Sequence, residues 1–218
     1  SNDINWLNRF CRSNNRFYFF KSFNYYTHMF TIKKKYFLII ESIKDIDLKN
    51  IKKRGKFYII YRYKNKPENL SELKKFKKKC SIKSIKFYIA NNIKLCVLLN
   101  SDGVYLSSYN KSFKALCLKK KNFDILGSAH NQYEIALKLQ QGCNSILFSK
   151  LFKVDYNKSS PFLGICKFNN LLANYPKQLV PLGGIKLDKL NRLNSINCLG
   201  IAILSEVKKK PAIISRLF

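Results

Sequence analysis

LVPLGGIKLDKLNRLNSINCLGIAILSEV, residues 179–207, passes from an apolar run through a glycine pair and an amphipathic segment into a second apolar run. The first run closes on Gly183-Gly184. Apolar residues then recur at Ile185, Leu187, Leu190, Leu193 and Ile196, and the second run, 199–204, stops at Ser205. That order predicts strand, helix, strand, the repeating unit of a parallel α/β fold. Paired glycines at the C-terminal end of a buried strand let the backbone approach a ligand closely with amide N–H groups facing it. A helix starting just beyond adds the positive end of its dipole. A phosphate suits such a place. Turn geometry alone also selects glycine there, so the pair by itself leaves both readings open.

Working outward, the same alternation fills the chain from Tyr36 onward. Short apolar runs predict strands at 36–40, 57–61, 87–90, 103–106, 123–126, 145–148, 179–182 and 199–204. Longer segments between them predict helices at 45–53, 69–80, 93–99, 113–119, 132–141, 167–173 and 187–196, and Pro211 suits the first turn of a last one. Strands each followed by a helix, eight times over, predict an α/β fold built as a single (β/α)8 TIM barrel, whose site lies at the C-terminal ends of the strands.

The chain has 218 residues, a normal length for one such barrel, so nothing calls for a second domain. Residues 1–28 show no sustained period, and the only methionine, Met29, stands just before the first strand. The expectation is a leader at 1–28 that is non-native or disordered, and a barrel over 29–218. RFYFF is too short for the apolar core of a signal peptide, and no run reaches the ~18–20 apolar residues of a membrane span. Seven cysteines without a C-x-x-C pair point to reduced thiols and a cytoplasmic setting, and two histidines leave little for a zinc site. The formal charge of +30 would give salt-dependent contact with polyanions. Lys, Asn, Ile and Phe are abundant together, as AT-rich codons produce, and the lysines spread over every predicted helix. No specific nucleic-acid partner is therefore expected, and oligomeric state is not readable.

PLGGI followed by CLGIAILSEV resembles thiamine phosphate synthases and the related TenI proteins, where an A-I-G-G-I strand end and an A-D-G-V-A-V-I-S strand form a phosphate cup. GSAHNQYEIALKLQQGCNSILFSKLF resembles that family's G-x-S-x-H…E…A…G-A-D-Y-V-x-x-G-P-V-F block. YIIYRYK, IANN and SDGVYLSSYN resemble its Q-x-R-x-K, I-N-D and A-D-G-V-H-L-G-Q-x-D segments. The resemblance implies a role in thiamine biosynthesis, with a thiazole phosphate joined to a pyrimidine pyrophosphate, pyrophosphate released and Mg2+ as cofactor. Metal-independent tautomerisation of a thiazole phosphate, as in TenI, is one alternative. A non-catalytic phosphate-binding barrel is another.

The resemblance also assigns residues. Arg62, Lys64, Asn91, Gly183, Gly184, Leu204 and Ser205 would bind phosphate or substrate. Ser128 and His130 keep S-x-H, with His130 as proton shuttle, while Glu134 reads as an ordinary helix residue. Asn92 and Asn110 stand where the family has two metal-binding Asp. A neutral amide is a poor ligand for a hard dication, so no metal residue is assigned. Val154, Tyr156 and Asn157 replace two Thr and a Lys. Lys150 and Lys153 bring positive charge to the same mouth.

Overall fold

The computed structural model describes residues 34–51, 55–154, 161–176 and 178–203. The expected leader at 1–28, the helix expected after Pro211, and Leu204, Ser205, Tyr156 and Asn157 lie outside the described residues. Strands β1 (Lys35–Ile40), β2 (Phe57–Tyr61), β3 (Lys86–Ala90), β4 (Gly103–Leu106), β5 (Asp124–Ala129), β6 (Ser145–Ser149), β7 (Leu179–Leu182) and β8 (Gly200–Ile203) pair in parallel, in chain order. β8 returns to β1, so the sheet is a closed barrel. Five α-helices are described: α1 (Leu70–Ile82), α2 (Ile93–Leu98), α3 (Leu116–Lys119), α4 (Gln132–Gln140) and α5 (Gly164–Asn174).

Strand alternation sorts the core into two layers. Leu38 and Ile40 of β1 belong to the outer layer, where Phe76 of α1 packs edge-on against Phe87 of β3, while Phe37 and Ile39 face the lumen with Tyr58, Ile60, Tyr88 and Tyr105. In α1 the spacing Leu73, Phe76, Cys80 buries one stripe and leaves Lys74, Lys75, Lys78 and Lys79 in solvent. Asparagines start three helices: Asn69 caps α1, Asn92 caps α2 and Asn131 caps α4.

The largest departures from the sequence reading are at three places. The expected helix at 45–53 is two 3-10 turns, Ile43–Asp45 and Leu48–Asn50. There the Asp45 carboxylate accepts the N–H groups of Glu41 and Ser42 at 2.9 Å, and side chains rather than an α-helical ladder take up the backbone donors. The segment between β7 and β8 is also a 3-10 helix, Leu187–Ser195. Its apolar residues fall at 187, 190, 193 and 196, the three-residue repeat of that helix, and Leu193 and Ile196 are buried. β5 runs on through Gly127, Ser128 and Ala129, paired with β6. Gly127 is there for room: a Cβ would lie 2.8 Å from Cys143 Sγ and 3.0 Å from Lys138 Cδ. Among the described residues no helix is long and apolar enough to cross a membrane, and the six cysteines described are free.

Candidate functional site

A cavity of about 290 Å³ opens at the C-terminal ends of the strands. Arg62 after β2, Ser107 to Tyr109 after β4, Ser128 and His130 on β5 and its end, Lys150 after β6, and Gly183 and Gly184 after β7 all border it. Among the described residues that line it there is no carboxylate. Arg62 and Lys150 are the Arg and Lys among those lining residues.

The glycines are demanded by the backbone. Gly183 has φ 93° and Gly184 φ 66°, the left-handed region that other residues adopt at a cost. A Cβ on Gly184 would lie 2.5 Å from the Phe152 carbonyl oxygen and 2.6 Å from that of Lys153. The loops after β6 and β7 are laced together: Leu151 N–H donates to the Leu182 carbonyl at 2.9 Å and Phe152 N–H to that of Gly183 at 3.1 Å. The stem of Lys150 runs along Gly183, where a Cβ would sit 3.3 Å from Lys150 Cα.

Ser128 is buried and lines the cavity with Tyr105, whose hydroxyl burial pushes above the ordinary phenol range. His130 is half exposed, and its Nδ1 lies 3.1 Å from Glu134 Oε2. The same oxygen accepts the His130 backbone N–H at 2.7 Å, and Glu134 N–H donates to Asn131 Oδ1 at 2.9 Å. Glu134 is therefore not an ordinary helix residue. It orients the imidazole, and the i,i+4 spacing at a helix start was the signal for it.

The sequence-assigned asparagines are fully engaged. Asn91, at φ 55°, donates Nδ2 to Ser107 Oγ at 2.7 Å and to Tyr109 OH at 3.0 Å, and its Oδ1 accepts Ser107 N–H and Asn110 Nδ2 at 3.0 Å each. Asn110 Oδ1 accepts Ser112 N–H at 3.0 Å. Asn92 Oδ1 accepts Leu95 N–H and its Nδ2 donates to Tyr63 OH, both at 2.9 Å. Magnesium needs hard, anionic oxygens, and the amides at 92 and 110 are neutral and already committed to the fold. Among the described residues no cluster of three or more His, Cys, Asp or Glu could hold an ion. These residues do not fit a magnesium site. Lys64 is apart from the cavity, 73% exposed and 3.3 Å from Glu41. Val154 lines the cavity, and Lys153 is exposed outside it.

The family model for thiamine monophosphate synthase matches residues 44–207. A thiamine-phosphate synthase from Prochlorococcus marinus (strain AS9601) is 24% identical over 172 residues, 78% of this chain and 48% of that protein. One from Pelagibacter ubique (strain HTCC1062) is 30% identical over 156 residues, 67% of this chain and 74% of that protein. The chain thus spans about half the length of the first relative. A solved thiamine phosphate pyrophosphorylase from Pyrococcus furiosus superposes with a TM-score of 0.66 over 87% of this chain and 99% of that one, at 16% identity. Likeness at that identity speaks for the fold alone.

Proposed function

The chain belongs to the thiamine monophosphate synthase family, and from that premise we propose that it works in thiamine biosynthesis, joining a thiazole phosphate to a pyrimidine pyrophosphate. The observation that carries this reading is the Gly183-Gly184 turn, both residues at positive φ, on a cavity lined by Arg62 and Lys150 and by no described carboxylate. The thiazole phosphate rests on the backbone of the two glycines, with Leu204 and Ser205 following in sequence. The pyrophosphate group faces Arg62 and Lys150, with Ser128 beside them. The thiazole nitrogen bonds to the pyrimidine methylene carbon, the bond from that carbon to the pyrophosphate oxygen breaks, and pyrophosphate leaves with the electron pair. Positioned cations offset the charge that develops on it. The asparagines at 92 and 110 do not fit magnesium, so no step is routed through the metal. Asn91 supports the cavity wall, and Lys64 has no place in the reaction.

A second reading is metal-independent tautomerisation of a carboxythiazole phosphate. The His130–Glu134 contact favours it: with Nδ1 held by the carboxylate, Nε2 is the atom that takes and returns a proton.

Supplying both thiamine precursors to the protein, in EDTA and then in excess magnesium, tests these readings. Thiamine phosphate formed in EDTA supports the transfer as written. Formation only with magnesium overturns the metal-free step. Proton exchange on the thiazole that disappears in His130→Asn supports the second reading. Phosphate binding without either activity leaves a binding barrel.

A further inference from the structure

Away from the mouth, one lysine has no exposed surface. Lys138 on α4 is 0% exposed, and its stem crosses Gly127 of β5. Nζ donates to the Asn110 carbonyl at 2.6 Å and to Gln141 Oε1 at 2.9 Å. Gln141 is equally buried, and its Nε2 donates to the carbonyls of Asn110 at 3.0 Å and Ser112 at 2.9 Å. Burying an ammonium costs several kcal/mol unless its donors are satisfied, so a fold that keeps one there uses it. Burial holds the Lys138 ammonium below the usual lysine range, with Cys143 and Glu134 opposing that shift.

The carbonyls so held belong to the loop after β4, whose Ser107, Ser108 and Tyr109 form one wall of the cavity. Asn91 grips the same loop from the β3 side, through Ser107, Tyr109 and Asn110. Asn110 belongs to both grips: its side chain bonds Asn91 and its carbonyl bonds Lys138 and Gln141. The wall is fixed by amides and one buried ammonium that meet at Asn110.

We propose that Lys138 and Gln141 are positioning residues that set this wall of the anion site, a buried ammonium between α4 and β5 that fixes the β4 loop through the Asn110 carbonyl. The proposal rests on the anion-binding reading of the mouth. Neither residue touches the substrate.

The test is Gln141→Glu, which keeps an oxygen for Lys138 but turns a second oxygen toward the two carbonyls that Nε2 now satisfies. Melting should fall by a few degrees, because two buried carbonyls lose their donor. Amide exchange at 107–112 should rise about tenfold while exchange in β7 is unchanged. Inorganic phosphate should bind several-fold more weakly. Lys138→Met should loosen the same loop. A packing role alone predicts a different result: faster exchange spread over α4 and β5, and unchanged phosphate affinity below the transition. Wild-type exchange at 107–112 in both variants overturns the proposal, and so does phosphate affinity that stays unchanged while the loop loosens. If the wild-type protein takes no phosphate, the reading of the mouth falls, and the exchange measurement alone decides the clamp.

Discussion

At the N-terminal end of the barrel the carboxylates Asp102 and Asp124 each meet a lysine, Lys77 at 2.5 Å and Lys86 at 2.6 Å, whereas the C-terminal mouth presents Arg62 and Lys150 with no carboxylate among its described walls. The floor is closed by packing as well as charge. Tyr58 and Tyr88 fill the lumen, Lys35 and Lys86 lie over the Tyr58 ring, and Tyr88 OH donates to Asp124 at 3.0 Å. Burial and the Asp124 carboxylate push the Tyr88 phenol far above its ordinary range, so it stays protonated and donates at any working pH. Charge that is matched contributes to holding the barrel shut. The mouth instead gathers Arg62, Lys150 and the glycine turn around one cavity, the end where barrels of this kind carry their sites.

The comparison is broken most severely at Gly184. Gly184→Asp places a β-carbon against the Phe152 and Lys153 carbonyls and a carboxylate at the anion site. It should lower stability by roughly 3 kcal/mol and weaken phosphate at least about 100-fold, read by calorimetry and by loss of the phosphate-induced rise in Tm. Wild-type phosphate affinity in that variant would move the site elsewhere. Next come Arg62→Met and Lys150→Met, each expected to weaken phosphate about 10-fold, some 1.4 kcal/mol, with stability within about 0.5 kcal/mol of wild type. Asp124→Asn is their mirror image at the floor. It should cost about 1 kcal/mol in chemical unfolding, because Lys86 is half exposed and Tyr88 keeps an acceptor, and leave phosphate affinity untouched. An affinity change there would erase the division between the rims. The smallest effect is expected from Glu134→Gln: about a threefold loss in proton-transfer turnover, from a looser imidazole, with phosphate affinity unchanged.

The barrel was legible because its signals are local and repeated: apolar runs at strand length, and helices whose stripes face the sheet, as Leu73, Phe76 and Cys80 do in α1. The 3-10 helix before β8 was written in the sequence too, since a spacing of three throughout 187, 190, 193 and 196 departs from the α-helical three-and-four. Gly127 was harder. The expected strand stopped at 126, and only the approach of Lys138 and Cys143 across β5 explains Gly127 as a strand residue without room for a side chain. The site divides the same way. Arg62, Ser128, His130 and the glycine pair could be placed from strand ends, and they border one cavity. The asparagines at 92 and 110, where the resemblance implies carboxylates, were visible residue by residue. What fills the place was not, because the Asn91, Asn110, Lys138 and Gln141 network joins segments after β3, β4 and β5 that no local pattern connects.

The central claim is that this mouth binds anions through the protein's own cations and amides. Titrating inorganic pyrophosphate into the protein by calorimetry, in EDTA and then in excess magnesium, tests it most directly. The account predicts binding in EDTA, with an affinity within about threefold, or roughly 0.7 kcal/mol, of that in magnesium. Heat that appears only when magnesium is present would contradict it and return the metal to the site.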